Sequence, residues 1–387
     1  MRVLLYTGKG GVGKTSLAVA TTALAAAEHG HRVFLLSTDS AHSVGDALGR
    51  PVGAQAVEVA PGVVAQEVAA LAELDRSWSE IQEWLHAFLR SDTDELVAEE
   101  LLVFPGLEEL VALRAVRMVE ELGSYDVCVV DCAPTGSTLR LLRFPDVLRF
   151  FMENFFDVKR RAARFVRPMA TRLGAGRLVA PDSVFEAVER LYREIEDVRQ
   201  ILLDETRTSA RLVVNPARVV VDETRRSFAY LSLYGVATDA VLVNRVLPQA
   251  ATGGYFARWA ERERRELAEI ESSFPVPIFH APLRPAEPIG VDALRSLARE
   301  MFGARDPAAH FSHGRPIRLE KRDARTFLEI DLPSATRDEI DVTAIGDELL
   351  VRVRDAQRRI ALPASVAGRP VASVRLAGGV LAIEFGA

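Results

Sequence analysis

Apolar residues are distributed in two textures along this chain. Up to about residue 302, short unbroken apolar runs alternate with longer stretches of helical spacing. The runs are Val3-Leu4-Leu5-Tyr6, Arg32 to Thr38, Val127 to Val130 (ending at Asp131), Arg211–Val214, Ala240–Val243 and Val276–Phe279. Unbroken runs suit strands buried on both faces of a parallel sheet, and their alternation with helices predicts an α/β doubly wound fold. The first helix is the alanine-rich segment Ser16 to His29, closed by Gly30. Helical spacing also fills Gln66 to Glu100, about Glu108 to Glu121, and Leu139 to about Asp204 with a break near Leu173–Pro181. Pro105-Gly106 separates the first two of these.

After Phe302 the texture changes. Gly303 to Gly314 is polar with Gly and Pro and reads as a linker. From Arg315 the pattern becomes short alternating runs: Thr326–Leu332, Glu339–Ala344, Glu348–Val353, Arg358–Leu362 and Val380–Phe385. Turn residues between them predict a small β-sandwich. The expected division is therefore 1–302, a linker at 303–314 and a sandwich at 315–387, with a helical subdomain at about 140–205.

Composition narrows the function classes. The chain has 387 residues, 49% hydrophobic and 26% charged, which fits a folded protein of several domains rather than a disordered one. The balance of 48 basic and 54 acidic residues gives −6, so no nucleic-acid partner is expected. No apolar run reaches the roughly 18 residues a membrane span requires. The first strand runs straight into a glycine-rich loop at Gly8, leaving no room for a signal peptide, and we expect a cytosolic protein. Two cysteines, Cys128 and Cys132, make no disulfide framework, and a zinc site needs four ligands. Arginine supplies nearly every positive charge: only four of the 48 basic residues are lysine, yet Lys9 and Lys14 fall in one loop. A compact ammonium reaches close to phosphate where a planar guanidinium does not fit.

The segment Gly8-Lys9-Gly10-Gly11-Val12-Gly13-Lys14-Thr15 fits G-x-x-x-x-G-K-[ST] between a strand and a helix that opens at Ser16. Such glycines let consecutive backbone N–H groups face phosphate oxygens, and the helix N-terminus adds its positive end. Lys14 is expected at the β- and γ-phosphates and the Thr15 hydroxyl on Mg²⁺. Asp131, ending its strand, is placed to support the Mg²⁺ shell. Asp39, also at a strand's carboxyl end, is a candidate for positioning the attacking water; the plain alternative is a helix-capping aspartate.

With Lys9 the loop resembles the deviant Walker A of the ParA, MinD, nitrogenase iron-protein and ArsA class of P-loop NTPases. That resemblance implies a homodimer in which Lys9 crosses to the partner's nucleotide; otherwise Lys9 is a solvated lysine at a loop tip. Ser37-Thr38-Asp39-Ser40-Ala41-His42-Ser43-Val44-Gly45-Asp46 resembles the first switch, STDPAHSLSD, of the ArsA and guided-entry-of-tail-anchored-protein ATPases. Asp131-Cys132-Ala133-Pro134-Thr135-Gly136-Ser137-Thr138-Leu139-Arg140-Leu141-Leu142 resembles their second switch, and Pro105-Gly106-Leu107-Glu108-Glu109 their PGxxE turn. The resemblance implies ATP and Mg²⁺ as cofactors, Asp39 as the catalytic aspartate and a metal-site member, and Asp131 as the magnesium-associated one. It further implies that Asn244 reads adenine, beside an adenine-side loop at Pro282-Leu283; alternatively Asn244 is a strand-end turn residue. Ser40 stands for the usual proline and Ser137 for the usual histidine, and the CxxC zinc clamp of the eukaryotic targeting factors has no match.

In those targeting ATPases the helical region after the second switch forms a client groove. Here it carries Phe150, Phe151, Met152, Phe155, Phe156, Phe165 and Met169 among Lys159, Arg160, Arg161, Arg164 and Arg167. This suits a hydrophobic polypeptide or tail-anchored client, an ordinary amphipathic helix against the core, or, more weakly, a membrane surface met only indirectly. The segment Arg315–Ala387 resembles an α-crystallin (small heat-shock) domain through Phe327–Pro333, Arg359-Ile360-Ala361-Leu362-Pro363 and Ala377-Gly378-Gly379-Val380-Leu381. Without an I-x-I extension, large oligomers are not expected. The combination resembles the bacterial and plastid homologues of the targeting factor. Alternative readings are a positioning ATPase of the ParA/MinD kind, an arsenite or anion-pump ATPase subunit, and an iron–sulfur electron-transfer ATPase. The single ATPase half argues against the arsenite pump.

Overall fold

The computed structural model describes residues 1–39, 41, 43–68, 107–133, 182–251, 253–323 and 325–386. The expectations for the helical stretch from 69 to 100, the Pro105-Gly106 turn, Ser40, His42, the second switch from Pro134 through Leu142, and the helical stretch from Leu139 to Pro181 with its client face between Phe150 and Met169 lie outside the described residues.

The main sheet has eight strands: β1 (Arg2–Gly8), β2 (Val33–Ser37), β3 (Val57–Ala60), β4 (Val63–Glu67), β5 (Val127–Asp131), β6 (Thr208–Val214), β7 (Thr238–Val246) and β8 (Ile278–Pro282). Their spatial order is β3-β4-β2-β5-β1-β6-β7-β8, and every adjacent pair is parallel except β3 with β4. Its described helices are α1 (Lys14–His29), α2 (Val44–Leu48), α3 (Leu107–Leu122), α4 (Asp182–Leu203), α5 (Arg218–Tyr234), α6 (Ala257–Ser273) and α7 (Val291–Phe302). Alternate residues of β1 enter opposite cores. Val3 and Leu5 pack with Val116 of α3, Val198 of α4 and Phe228 of α5, whereas Leu4 and Tyr6 pack with Leu17 and Leu24 of α1 and Leu297 of α7. Helices thus cover both faces, as strands without alternation require. β1 lies where the order reverses, so the loop after it opens into the crevice where such sheets bind ligands.

The C-terminal part is a sandwich of two antiparallel sheets. Its strands are β9 (Ile317–Arg322), β10 (Arg325–Asp331), β11 (Ile340–Ile345), β12 (Glu348–Val353), β13 (Ala356–Ala361), β14 (Val371–Ala377) and β15 (Val380–Phe385), ordered β14-β15-β10-β9 and β11-β12-β13. The alternating pattern foresaw five of these; β9 and β14 are edge strands with little buried surface and a weak pattern. The sequence reading also began a helix at Gln66, but Gln66 belongs to β4, paired with β3 in an edge hairpin. Val63, Ala65 and Glu67 alternate inward there, and a five-residue strand is too short to separate its period from a helix's.

The segment read as a polar linker is fastened to the sheet. The Arg211 guanidinium, fully buried in β6, donates to the carbonyls of Pro307 (2.6 Å) and Ala309 (3.0 Å). It also stacks on the Phe311 ring at 4.5 Å and pairs with Asp239 at 3.1 Å. His31 meets Asp306 at 2.8 Å. A second junction is α5. Its Phe228 and Leu231 face the main core, while Ala229, Tyr230 and Leu233 sit in the sandwich core. Apolar residues all round its C-terminal half fit a helix buried on two sides.

Candidate active site

The loop between β1 and α1 is held from behind by the strand ends. Gly13 caps α1 at φ 95°, and a Cβ there would meet Asn244 Nδ2 at 2.2 Å; at Gly8 it would meet the Val213 carbonyl oxygen at 2.3 Å. Only glycine fits either position. No side chain caps the helix, so its first backbone N–H groups are free to face an anion. Above Gly10 and Gly11 a Cβ would find no heavy atom within 4 Å among the described residues. The loop is therefore fixed below and open above. Ser16 lies in the first turn of α1.

The carboxylates converge on the same point. Lys14 is nearly buried, with Nζ 3.8 Å from Asp39 Oδ2. Thr15 Oγ1 donates to Asp131 Oδ2 at 2.7 Å and lies 3.3 Å from Ser43 Oγ. Asp131 has 0% exposure, and its Oδ1 is buried without a hydrogen-bond partner among the described residues. Burial pushes its carboxyl up to about 7, against the opposing pull of the Thr15 hydroxyl and Lys14. An orphaned oxygen on a buried carboxyl marks a place where a cation belongs, and hydroxyl and carboxylate oxygens are the donors Mg²⁺ prefers. Among the described residues no three His, Cys, Asp or Glu side chains gather as a metal cage. A Mg²⁺ ion here would lean on Thr15, Asp131 and ligand phosphates, with Asp39 near.

The first switch has an anchor that the sequence reading missed. Glu67, at the end of β4, is buried, and its Oε1 accepts from the backbone N–H of Val44 (3.0 Å) and Gly45 (3.1 Å). Asp39 Oδ1 accepts from Ala41 N at 3.1 Å, a local turn that orients it. No spacing rule announces Glu67; it acts only because β4 lies beside β2.

Asn244 is buried. Nδ2 donates to the Val12 carbonyl (2.9 Å) and Oδ1 accepts from Arg245 N (2.9 Å), so it pins the loop from behind. Asn215, at the end of β6, joins it: with its amide turned to suit its neighbours, Nδ2 donates to Val12 O at 3.1 Å. Pro282 and Leu283 lie beside Val246, with Leu283 N donating to the Val246 carbonyl at 2.7 Å. Pro282-Leu283 and Asn244 are thus neighbours at the carboxyl ends of β7 and β8. A cleft of about 830 Å³ opens there, lined by Asn215, Arg218, Arg245, Phe256, Trp259 and Arg262 among others.

Lys9 stands apart from the phosphate cradle, paired within its own chain to Glu223 at 3.1 Å. Cys128 and Cys132 are both buried, and burial pushes the Cys128 thiol up to about 12 and Cys132 higher still. Burial in apolar surroundings makes both thiols poor nucleophiles. No helix among the described residues is long and apolar enough to cross a membrane.

Comparison with known proteins agrees with this geometry. Residues 1–303 match the anion-transporting ATPase family, and residues 323–385 match the HSP20-like domain found in ArsA. The chain is 35% identical to a putative arsenical pump-driving ATPase of Chlorobaculum tepidum, covering 95% of this chain and 92% of that protein. It is 32% identical to putative arsenical pump-driving ATPase 1 of Aquifex aeolicus, over 94% of each chain. The arsenical pump-driving ATPase of Escherichia coli is 30% identical over 76% of this chain but only 48% of its own length. The chain belongs to the ArsA family of ATPases and ends in the HSP20-like domain found with it.

Proposed function

We propose that this protein is a Mg²⁺-dependent ATP hydrolase working as a homodimer, with ATP binding and hydrolysis driving capture and release of hydrophobic polypeptides. The convergence of Lys14, Thr15, Asp39 and Asp131 on one point above the β1–α1 loop carries this reading. Backbone N–H groups from Gly8 to Thr15 hold the triphosphate, and Lys14 neutralises its β- and γ-oxygens. Thr15 and Asp131 hold the ion, which when bound offsets charge on the transferring phosphoryl group. Asp39 orients the attacking water and accepts its proton. Lys9, delivered from the second copy, stabilises the charge that develops as the terminal phosphate leaves. Exposed apolar residues on that edge, Val219 (66%), Phe256 (47%) and Trp259 (58%), give a second copy surface to cover.

Two variants test the chemistry. Lys14→Ala is expected to lose ATP binding in calorimetry. Asp39→Asn is expected to bind ATP but lose turnover by about 10²-fold or more; normal turnover would sink its role. Client capture rests on the aromatic and methionine-rich sequence between Phe150 and Met169. Its test is pull-down from lysate with Asp39→Asn held in ATP, where enrichment of proteins with one C-terminal apolar span supports targeting and soluble aggregation-prone proteins support a holdase.

The relatives' names favour a second reading, an arsenite or anion-pump subunit. Against it stands the burial of both cysteines, which leaves no exposed thiol among the described residues. Stimulation of ATP turnover by arsenite would favour the pump.

A further inference from the structure

We propose that Glu223 is a positioning residue for Lys9, a latch that keeps the lysine in its own chain until a nucleotide-loaded second copy draws it across. The inference rests on the reading that Lys9 acts in trans. Lys9 Nζ lies 3.1 Å from Glu223 Oε2, with side chains 35% and 32% exposed. Each is the other's sole charged partner among the described residues. Ion pairs this exposed are weak and break readily. That strength suits a latch: enough to bias a flexible side chain, too little to hold it against a phosphate.

The two backbones cannot follow each other. Glu223 belongs to α5, whose Val221 and Phe228 are buried in the main core, while Ser227 Oγ donates to the Glu223 carbonyl at 2.8 Å and Thr224 Oγ1 to Val220 at 2.8 Å. The lysine's neighbour Gly8 is pressed against the Val213 carbonyl, so the start of the loop is fixed to β6, the strand that leads into α5. Beyond Lys9, a Cβ at Gly10 or Gly11 would meet nothing within 4 Å among the described residues. With both ends rigid, moving Lys9 toward a partner must break the pair rather than carry Glu223 along. A lysine aimed at a second molecule and held by a carboxylate of its own chain opposes premature closure. Nearby charges do not replace that role: Asp222 is paired with Arg225 at 3.2 Å, and Arg225 also holds Glu269 at 2.8 Å.

The test measures ATP turnover against protein concentration at saturating Mg·ATP, with dimer mass read by light scattering in a non-hydrolysable ATP analogue. Glu223→Gln is expected to lower the protein concentration giving half-maximal turnover by about two- to five-fold, the range an exposed ion pair supplies, without lowering the plateau. Glu223→Asp, which keeps the charge, should remain close to the parent. In a Lys9→Ala background, Glu223→Gln should leave the dimerisation midpoint where Lys9→Ala alone puts it. An unchanged midpoint in Glu223→Gln, or an equal shift in the Lys9→Ala background, overturns the latch while leaving the trans lysine standing. If the parent stays monomeric with the ATP analogue, the trans reading itself fails and the latch falls with it.

Discussion

At the residue scale, the site is defined by what its side chains are no longer free to do. The Asn244 amide is bonded to Val12 and Arg245. Asn244→Ala is therefore expected to weaken ATP and GTP alike, by about ten-fold, because the loop loses its support. A base-reading asparagine would instead lose only its preference for ATP; fluorescent-nucleotide titration separates the two outcomes. Gly13 is constrained more severely, with φ 95° and Asn244 Nδ2 in the space of a Cβ. Gly13→Ala should cost about 1–3 kcal/mol in urea unfolding and most of the nucleotide affinity. The placement of Lys14 and Thr15 at the start of α1 was legible because a glycine-rich loop is written in consecutive positions, which a linear pattern preserves. Glu67 and Asn215 were not, since each acts on a loop distant in sequence and gains meaning only from strand order.

At the scale of elements, the first switch is short and held at one end. α2 spans only Val44–Leu48, and its first N–H groups are satisfied by the Glu67 carboxylate. Glu67→Ala should destabilise the fold by about 1–3 kcal/mol and speed hydrogen exchange at Val44 and Gly45. Glu67→Gln, which keeps the accepting oxygen, should behave like the parent. Turnover in Glu67→Ala is expected to fall further than ATP affinity, since Asp39 and Ser43 belong to the same segment. Central strands β1, β2 and β5 announced themselves through unbroken apolar runs. The β3–β4 hairpin did not, because an edge pair needs burial on fewer positions and leaves Gln66 looking helical. Edge strands β9 and β14 escaped for the same reason.

At the scale of the whole molecule, the two folds are joined by buried chemistry rather than by a tether. Arg211 holds Pro307 and Ala309, while α5 lends Ala229, Tyr230 and Leu233 to the sandwich core. Tyr230 donates to Asp355, Tyr234 to the Gln357 carbonyl at 3.2 Å, and Arg358 to the Leu233 carbonyl at 2.8 Å. Composition marked 303–314 as a polar linker, but the buried arginine that organises it lies on a strand nearly a hundred positions earlier. Breaking the pair leaves Asp239 buried beside Arg2 alone, and Arg211→Met should cost about 3–5 kcal/mol by urea unfolding. Burial alone would raise the Asp239 carboxyl, but Arg211 and Arg2 outweigh it and hold it below 3.8. Its contribution is complete above that ordinary value and is lost as pH falls through the depressed folded one. Removing Arg211 should therefore move the acid-unfolding midpoint to higher pH, read by circular dichroism. On the proposed mechanism, turnover occurs in a site shared between two copies. The most direct measurement mixes Lys9→Ala protein, which lacks the lysine it should deliver, with Asp39→Asn protein, which lacks its own catalytic carboxylate. Each alone should be nearly inactive, and the equal mixture should recover about a quarter of parental turnover, because half the dimers are mixed and one site in each is complete. No recovery, with mixed dimers verified by mass, would contradict it.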